Sequence, residues 1–299
     1  MEAPVATRRT ILELLAAGAA AGLMSGCAQA AGPDPFAPWR NPGAGEKDPR
    51  RWALAHAILA PNPHNRQPWL IELPGADEIR LFVDLNRRLP ATDPPNRQIT
   101  VGCGAFLELM DLAARQTGRR ADIALWPDGE PQPVLDTRAV AHVRLVADPA
   151  VRPDPLFAQI TARRTNRAPF DMKSPPTADE LARVSAGARP GPGLTARAVT
   201  DPDQRARLID IGLRAYQVEW DVKPTHMESV DLMRIGAAEM AKNPDGIALQ
   251  GPLMEAMKAT GLITHAALAD PDSMASKSGL KMWQEIGRAS CRERVFSSV

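Results

Sequence analysis

Strand spacing sets the first limit on the fold. Trp69 to Leu73 and Ile79 to Leu85 are both rich in β-forming residues, and only Pro74-Gly75-Ala76-Asp77-Glu78 separates them. A parallel crossover needs a dozen or more residues, so this pair does not fit a strict βαβ repeat. A helical stretch follows from about Gln98 to Thr117. Its period turns Val101, Ala105, Phe106, Leu109, Met110 and Ala113 inward, and Gly118 ends it. Ala121 to Trp126 and Ala139 to Val146 are further strand candidates. Interleaved helices and closely spaced strands give an α+β fold.

Upstream, Asp48-Pro49 supplies an N-cap and a first-turn proline for a helix with Trp52, Ala55, Ile58 and Leu59 on one face, and Pro61 stops it. Residues 31–47 are Pro/Gly-rich and read as a linker or tether. Downstream, Pro153 to Arg164 reads as helical, and Thr177-Ala178-Asp179-Glu180 is a capping box opening another helix. A Gly/Pro loop, Ala188 to Gly193, leads to a strand at Leu194 to Val199. Asp201-Pro202 then opens a long helix reaching Trp220, and the Ala/Met-rich remainder from Met227 is mostly helical.

Charge excludes one class of partner. Lys and Arg number 36 against 35 Asp and Glu, so the chain lacks the basic surplus that nucleic-acid binding requires. The N-terminus carries an address. Thr7-Arg8-Arg9-Thr10-Ile11-Leu12 matches a twin-arginine export signal, and the apolar stretch that follows is short and interrupted by Glu13, unlike a membrane-spanning helix. Met24-Ser25-Gly26-Cys27 resembles a lipobox, which would make Cys27 a lipidation site. Simple cleavage after Ala28-Gln29-Ala30 stays open. Residues 1–30 are thus expected to engage the twin-arginine machinery and deliver a periplasmic or lipid-anchored protein, with the membrane touched only through that anchor. Cys103 and Cys291 complete the cysteines and make no disulfide framework.

Residues 286–299, beginning Ile286-Gly287-Arg288-Ala289-Ser290-Cys291, resemble the translation of a sequencing-library adapter and show no helical or strand period. The expectation is that native sequence stops at Glu285 and that the last part of the fold is missing.

Two motifs carry chemistry. The first is Ala60-Pro61-Asn62-Pro63-His64-Asn65-Arg66-Gln67-Pro68-Trp69, between the first helix and the first strand. It resembles the Ala-Pro-Ser-x-x-Asn-x-Gln-Pro-Trp signature of the nitroreductase superfamily, especially its Acg-like FMN-binding branch. The resemblance implies that Asn65 contacts the flavin ring, that Pro63 and His64 shape the loop, and that Gln67 and Trp69 brace it. Asn62 stands where the family usually has Ser. An amide suits a flavin edge because it both donates and accepts. The second motif, Arg163-Arg164-Thr165-Asn166-Arg167, resembles the Arg-Arg-Ser-x-Arg segment that holds the FMN phosphate. By position, Arg163, Arg164, Thr165 and Arg167 would grip it, since guanidinium forks bind phosphate bidentately.

Their order is unusual. The arginine motif follows the ring motif by about 100 residues, whereas an ordinary nitroreductase has it first. Helix, loop and strand also recur after Arg167 in the order seen from Asp48 to Leu73. The resemblance then implies two fused, pseudo-symmetric repeats, residues 48–150 and 151–285, the second incomplete. They would form a monomeric single-chain pseudodimer with one FMN site. Gly102-x-Gly104 lies inside a helix pattern and reads as close packing, not as a dinucleotide fingerprint. The histidines show no metal-ligand spacing. The implied function is an FMN-dependent oxidoreductase passing electrons to a small oxidised acceptor. The alternative is a non-catalytic, flavin-buffering exported lipoprotein, because NAD(P)H is not expected outside the cytoplasm.

Overall fold

A computed structural model describes residues 34–165, 176–187 and 195–293. Residues 34–47 do not hang free as a tether would. One turn of helix, α1 (Ala37–Arg40), sets the Trp39 side chain beside Leu59, Leu112 and Ile160. Gly43, at φ +70°, lies so close to the Trp52 indole that a Cβ there would come within 2.8 Å of it. The following helix, α2 (Pro49–Ala57), begins where Asp48 accepts the Arg50 amide. The Arg50 side chain beside it holds the Asp48 carboxyl at about 2. Its buried face is Ala53, His56 and Ala57, continued by Leu59, while Ile58 is 40% exposed. The expected stripe is thus rotated, because the large Trp52 ring sits at the margin of the core, stacked on Phe157 at 5.7 Å.

Strands β1 (Trp69–Glu72) and β2 (Glu78–Val83) form the antiparallel pair that their short connection requires. After α3 (Arg97–Gln116), β3 (Arg119–Leu125) and β4 (Ala141–Ala147) complete a fully antiparallel sheet in the order β1-β2-β4-β3. Alternation selects the inner face: Ile79, Leu81 and Val83 of β2 and Ala141, Val143 and Leu145 of β4 are all buried. Helix α3 covers that face with Ile99, Cys103, Phe106, Met110 and Ala113. Burial pushes the Cys103 thiol up to about 12, which makes it a packing residue and not a nucleophile. Val101 departs from the expected stripe and is 68% exposed. Two residues on from Ile99 is a rotation of about 200° around the helix, which carries it to the opposite side.

The stretch expected to be helical from Pro153 to Arg164 contains only a 3₁₀ turn, Pro155–Gln159, started by Asp154 accepting the Leu156 amide. Phe157 and Ile160 anchor the turn on the core, and no apolar residue beyond Ile160 extends the stripe. The capping box forms as expected before α4 (Ala178–Gly187): Thr177 N donates to Glu180 at 2.8 Å, and Glu180 N to the Thr177 hydroxyl at 3.2 Å. Residues 188–194 lie outside the described residues. Of the strand expected at 194–199, the described residues 195–199 hold only an isolated bridge at Ala198.

The rest is mainly helical: α5 (Pro202–Asp221), α6 (Lys223–Asp231), α7 (Gly236–Lys242), α8 (Pro252–Ala259), α9 (His265–Ala269) and α10 (Met274–Glu293). Between them, β5 (Met233–Ile235) and β6 (Ile247–Leu249) form a parallel pair. Val230, Ile235, Ile263 and Leu268 make a second small core, filled out by Met233, Met254 and Met257. This half does not copy the four-stranded sheet among its described residues. The backbone of α10 continues past residue 286 to Glu293.

Candidate functional site

A cleft of about 1920 Å³ opens where the end of α2, the start of α3 and the helical half meet. Single-ligand pockets usually occupy about 300–1,000 Å³, so it is large for one small molecule. Pro63, His64, Asn65 and Gln67 line it, and so do Arg163, Arg164 and Thr165. The two motifs, some 100 residues apart in the chain, therefore share one cavity. Trp69 instead packs against the core, its ring 4.9 Å from that of Phe106. Arg167 and Cys27 lie outside the described residues.

The loop after α2 is strained. His64, Asn65 and Gln67 all have positive φ, at 46°, 50° and 48°. Non-glycine residues rarely adopt this region, and strain of this kind persists only where neighbours over-determine it. Asn62 supplies part of that restraint. Its side chain accepts the Gln67 amide at 2.8 Å and donates to the Ala60 carbonyl at 3.1 Å, closing the loop on itself. The residue that departs from the family pattern is thus the clasp of the loop.

Helix α3 lets the loop come close. A Cβ on Gly102 would stand 3.2 Å from Asn62 Cβ, whereas one on Gly104 would meet nothing within 4 Å. Gly102→Val should therefore cost about 1–3 kcal/mol in a thermal melt through overpacking. Gly104→Ala, on the open side, should stabilise by about 0.5–1 kcal/mol through helix propensity. Equal effects at the two positions would contradict the close approach seen here.

The remaining restraint comes from the turn Asn243-Pro244-Asp245-Gly246, which the sequence reading did not single out. Gln67 Nε2 donates to the Pro244 carbonyl at 2.8 Å, and Gly246 N donates to the Asn65 carbonyl at 3.2 Å. Asp245 takes Arg66 at 2.8 Å on one oxygen and Arg234 at 2.8 Å on the other, with Arg87 at 3.5 Å. Gly246, at φ +84°, is required, since a Cβ there would fall 2.2 Å from the Leu232 carbonyl oxygen. An Asn-Pro-Asp-Gly run was the available sign, but it reads as a turn and nothing more.

The described part of the arginine motif, Arg163 and Arg164, presents positive charge to the cleft. Arg163 and Arg164 form no ion pair among the described residues, and Asp34, nearby in the same cleft, is taken by Arg40. Arg163 donates through Nη2 to the Leu59 carbonyl at 3.1 Å, tying it to the residue before the strained loop. Its Nε is buried and has no hydrogen-bond partner among the described residues. Burial first, and the Arg164 charge second, push the Arg163 guanidinium down from its usual value. Both guanidiniums stand over the Trp39 ring, at 5.3 and 5.0 Å from its centre. Arg164 also donates to the Thr161 and Arg163 carbonyls, so part of its capacity goes to ending its own turn.

Across the cleft, α5 contributes Tyr216, Glu219 and Trp220, and α6 contributes Thr225, His226 and Ser229. Burial, followed by the charge of Glu228, raises the Glu219 carboxyl above its ordinary range. Met233 and Met240 also line the cavity.

No family model matches the chain. It is distantly similar to three proteins of Mycobacterium tuberculosis. One, named "Putative NAD(P)H nitroreductase", is 31% identical over 159 residues, 53% of this chain and 44% of the relative. Another with that name, acg, is 34% identical over 119 residues, 40% of this chain and 34% of the relative. The third, named only as an uncharacterized protein, is 33% identical over 123 residues, 40% of this chain and 35% of the relative. The chain spans less than half the length of each. These names support an oxidoreductase of nitroreductase type, and the mixed α+β architecture with its antiparallel sheet agrees with that.

Proposed function

We propose that the chain holds FMN in this cleft and acts as an FMN-dependent oxidoreductase toward a small oxidised acceptor. The observation that carries the reading is the meeting of the two motifs: a strained amide-bearing loop and an arginine pair that, among the described residues, has no carboxylate, with the buried Arg163 Nε unpartnered there. That donor set fits a phosphate monoester joined to a ring with hydrogen-bonding edges. Arg163, Arg164 and Thr165 would hold the phosphate. Asn65 would face the ring with its Nδ2; among the described residues its side chain is engaged through Oδ1, by Gln67 at 3.3 Å. Gln67 and Asn62 keep the loop in shape, and Asp245 fixes it to the helical half.

When bound, FMN supplies hydride or two-electron transfer, while the protein supplies orientation and a shaped pocket. Having both motifs in one chain favours one FMN per chain and a monomeric pseudodimer. A second reading, a non-catalytic flavin-buffering lipoprotein, is favoured by the twin-arginine pattern Thr7–Leu12, which would place the protein where NAD(P)H is scarce.

The test is equilibrium titration with FMN and with riboflavin, which lacks the phosphate. About one FMN per chain should bind, at least about tenfold more tightly than riboflavin, since a single charge-assisted hydrogen bond contributes about 1.5–3 kcal/mol. Failure to bind either flavin, or equal affinity for both, would remove this reading. Anaerobic addition of NADPH to the loaded protein then divides the two functions: bleaching of the flavin absorbance favours the enzyme, and its persistence the buffer.

A further inference from the structure

The clamp has a third member outside both motifs. We propose that Trp39 is a positioning residue of a phosphate-monoester site, its indole carrying the Arg163 and Arg164 guanidiniums in the arrangement that meets the anion. The inference deepens the FMN reading and rests on it for the identity of the anion.

Two guanidiniums on adjacent residues repel one another, and no carboxylate among the described residues offsets them. The electron-rich face of an indole is the strongest neutral partner that a side chain offers a cation. Here it serves both cations at once, at 5.3 and 5.0 Å. Trp39 is itself half-buried, seated beside Leu59, Leu112 and Ile160. Leu59 is also the residue whose carbonyl takes the Arg163 Nη2 hydrogen bond. One seat therefore fixes the indole, the first arginine and the start of the strained loop. Aromatic support leaves guanidinium N–H groups uncommitted, which a carboxylate would not, and Arg163 Nε, unpartnered among the described residues, agrees with that. Segment 34–40 is then a working wall of the cleft.

The test compares wild type with Trp39→Met, which fills volume without a π face, and Trp39→Phe, which keeps one. FMN, riboflavin and inorganic phosphate are the probes. Trp39→Met should weaken FMN about five- to thirtyfold, the loss of two cation–π contacts, and leave riboflavin unchanged; Trp39→Phe should restore most of the difference. A purely structural role would weaken both flavins equally, or leave Phe no better than Met, and either result overturns the proposal. Phosphate should also change the tryptophan emission of wild type but not of Trp39→Phe. That measurement decides the matter even if the Met variant does not fold, and an identical response in both proteins overturns it. Phosphate binding by a wild type that takes neither flavin would refute the FMN reading and leave the clamp standing. Binding of no probe at all would refute both.

Discussion

Asp245→Ala is expected to destabilise the protein by about 3–5 kcal/mol, because it strands two arginines that are largely, though not fully, out of water. Arg66 and Arg234 are only 14% and 13% exposed at their side chains, and Asp245 itself 17%. These charges cannot recover their hydration when the carboxylate is removed. For a domain of this size each kcal/mol is worth about 2–4 °C, so the melting temperature should fall by about 10 °C. Function should fall with it. The Gln67–Pro244 and Gly246–Asn65 hydrogen bonds depend on the turn that Asp245 pins, and they hold two positive-φ residues in place. Asp245→Asn, which retains an acceptor but loses the charge, should fall between wild type and Ala. Thermal melts of the three proteins, each with and without FMN, check this. A loss below about 1 kcal/mol would show the cluster to be an exposed network of little weight.

What could be read in the sequence was local. The five residues between β1 and β2 leave room for a hairpin and nothing else, and the Thr177–Glu180 box carries both of its hydrogen bonds within four residues. Asp48-Pro49 and Asp201-Pro202 start helices for the same reason: cap and first turn are adjacent in the chain. The cleft's two motif walls were legible as motifs, through residue type and order. What joins them was not. Asp245 acts through a pairing 179 residues distant in the chain, and a turn rich in Asn, Pro, Asp and Gly has the same composition whether it faces solvent or braces a site. Residues 31–47 read as a tether by their Pro and Gly content, yet Phe36 and Trp39 are apolar and need somewhere to go. Trp39 found the arginines. Val101 was misplaced because counting apolar residues ignores the 100° step that turned it out toward the cleft.

The double variant Arg163→Met with Arg164→Met separates stability from function most sharply. Ordinary buried substitutions lose both together, and this one should not. In the free protein the two guanidiniums oppose each other, and burial already disfavours the charge on Arg163. Removing them relieves that repulsion and the desolvation of Arg163. The Leu59 carbonyl loses its donor, a cost of about 1–3 kcal/mol at most, and Trp39 loses two cation–π contacts of about 0.5–1 kcal/mol each, although the methionine stems still cover its ring. These contributions have opposite signs and similar size, so the melting temperature of the free protein should move by only a few degrees. Binding has no such compensation. Each lost charge-assisted hydrogen bond weakens the phosphate contact by about 1.5–3 kcal/mol, so FMN affinity should fall about 10²- to 10⁴-fold for the pair. Riboflavin affinity should hold, because the positive-φ residues of the loop keep their restraints from Asn62, Pro244, Gly246 and the Asp245 brace, none of which the variant removes. Since a ligand stabilises the folded state in proportion to the logarithm of its concentration over its dissociation constant, the rise in melting temperature produced by FMN should vanish in the double variant. A variant that melts far below wild type while still binding FMN would show the arginines to be structural. The phosphate would then have to be sought among the other cations of the cleft, with Arg97 the first to be replaced.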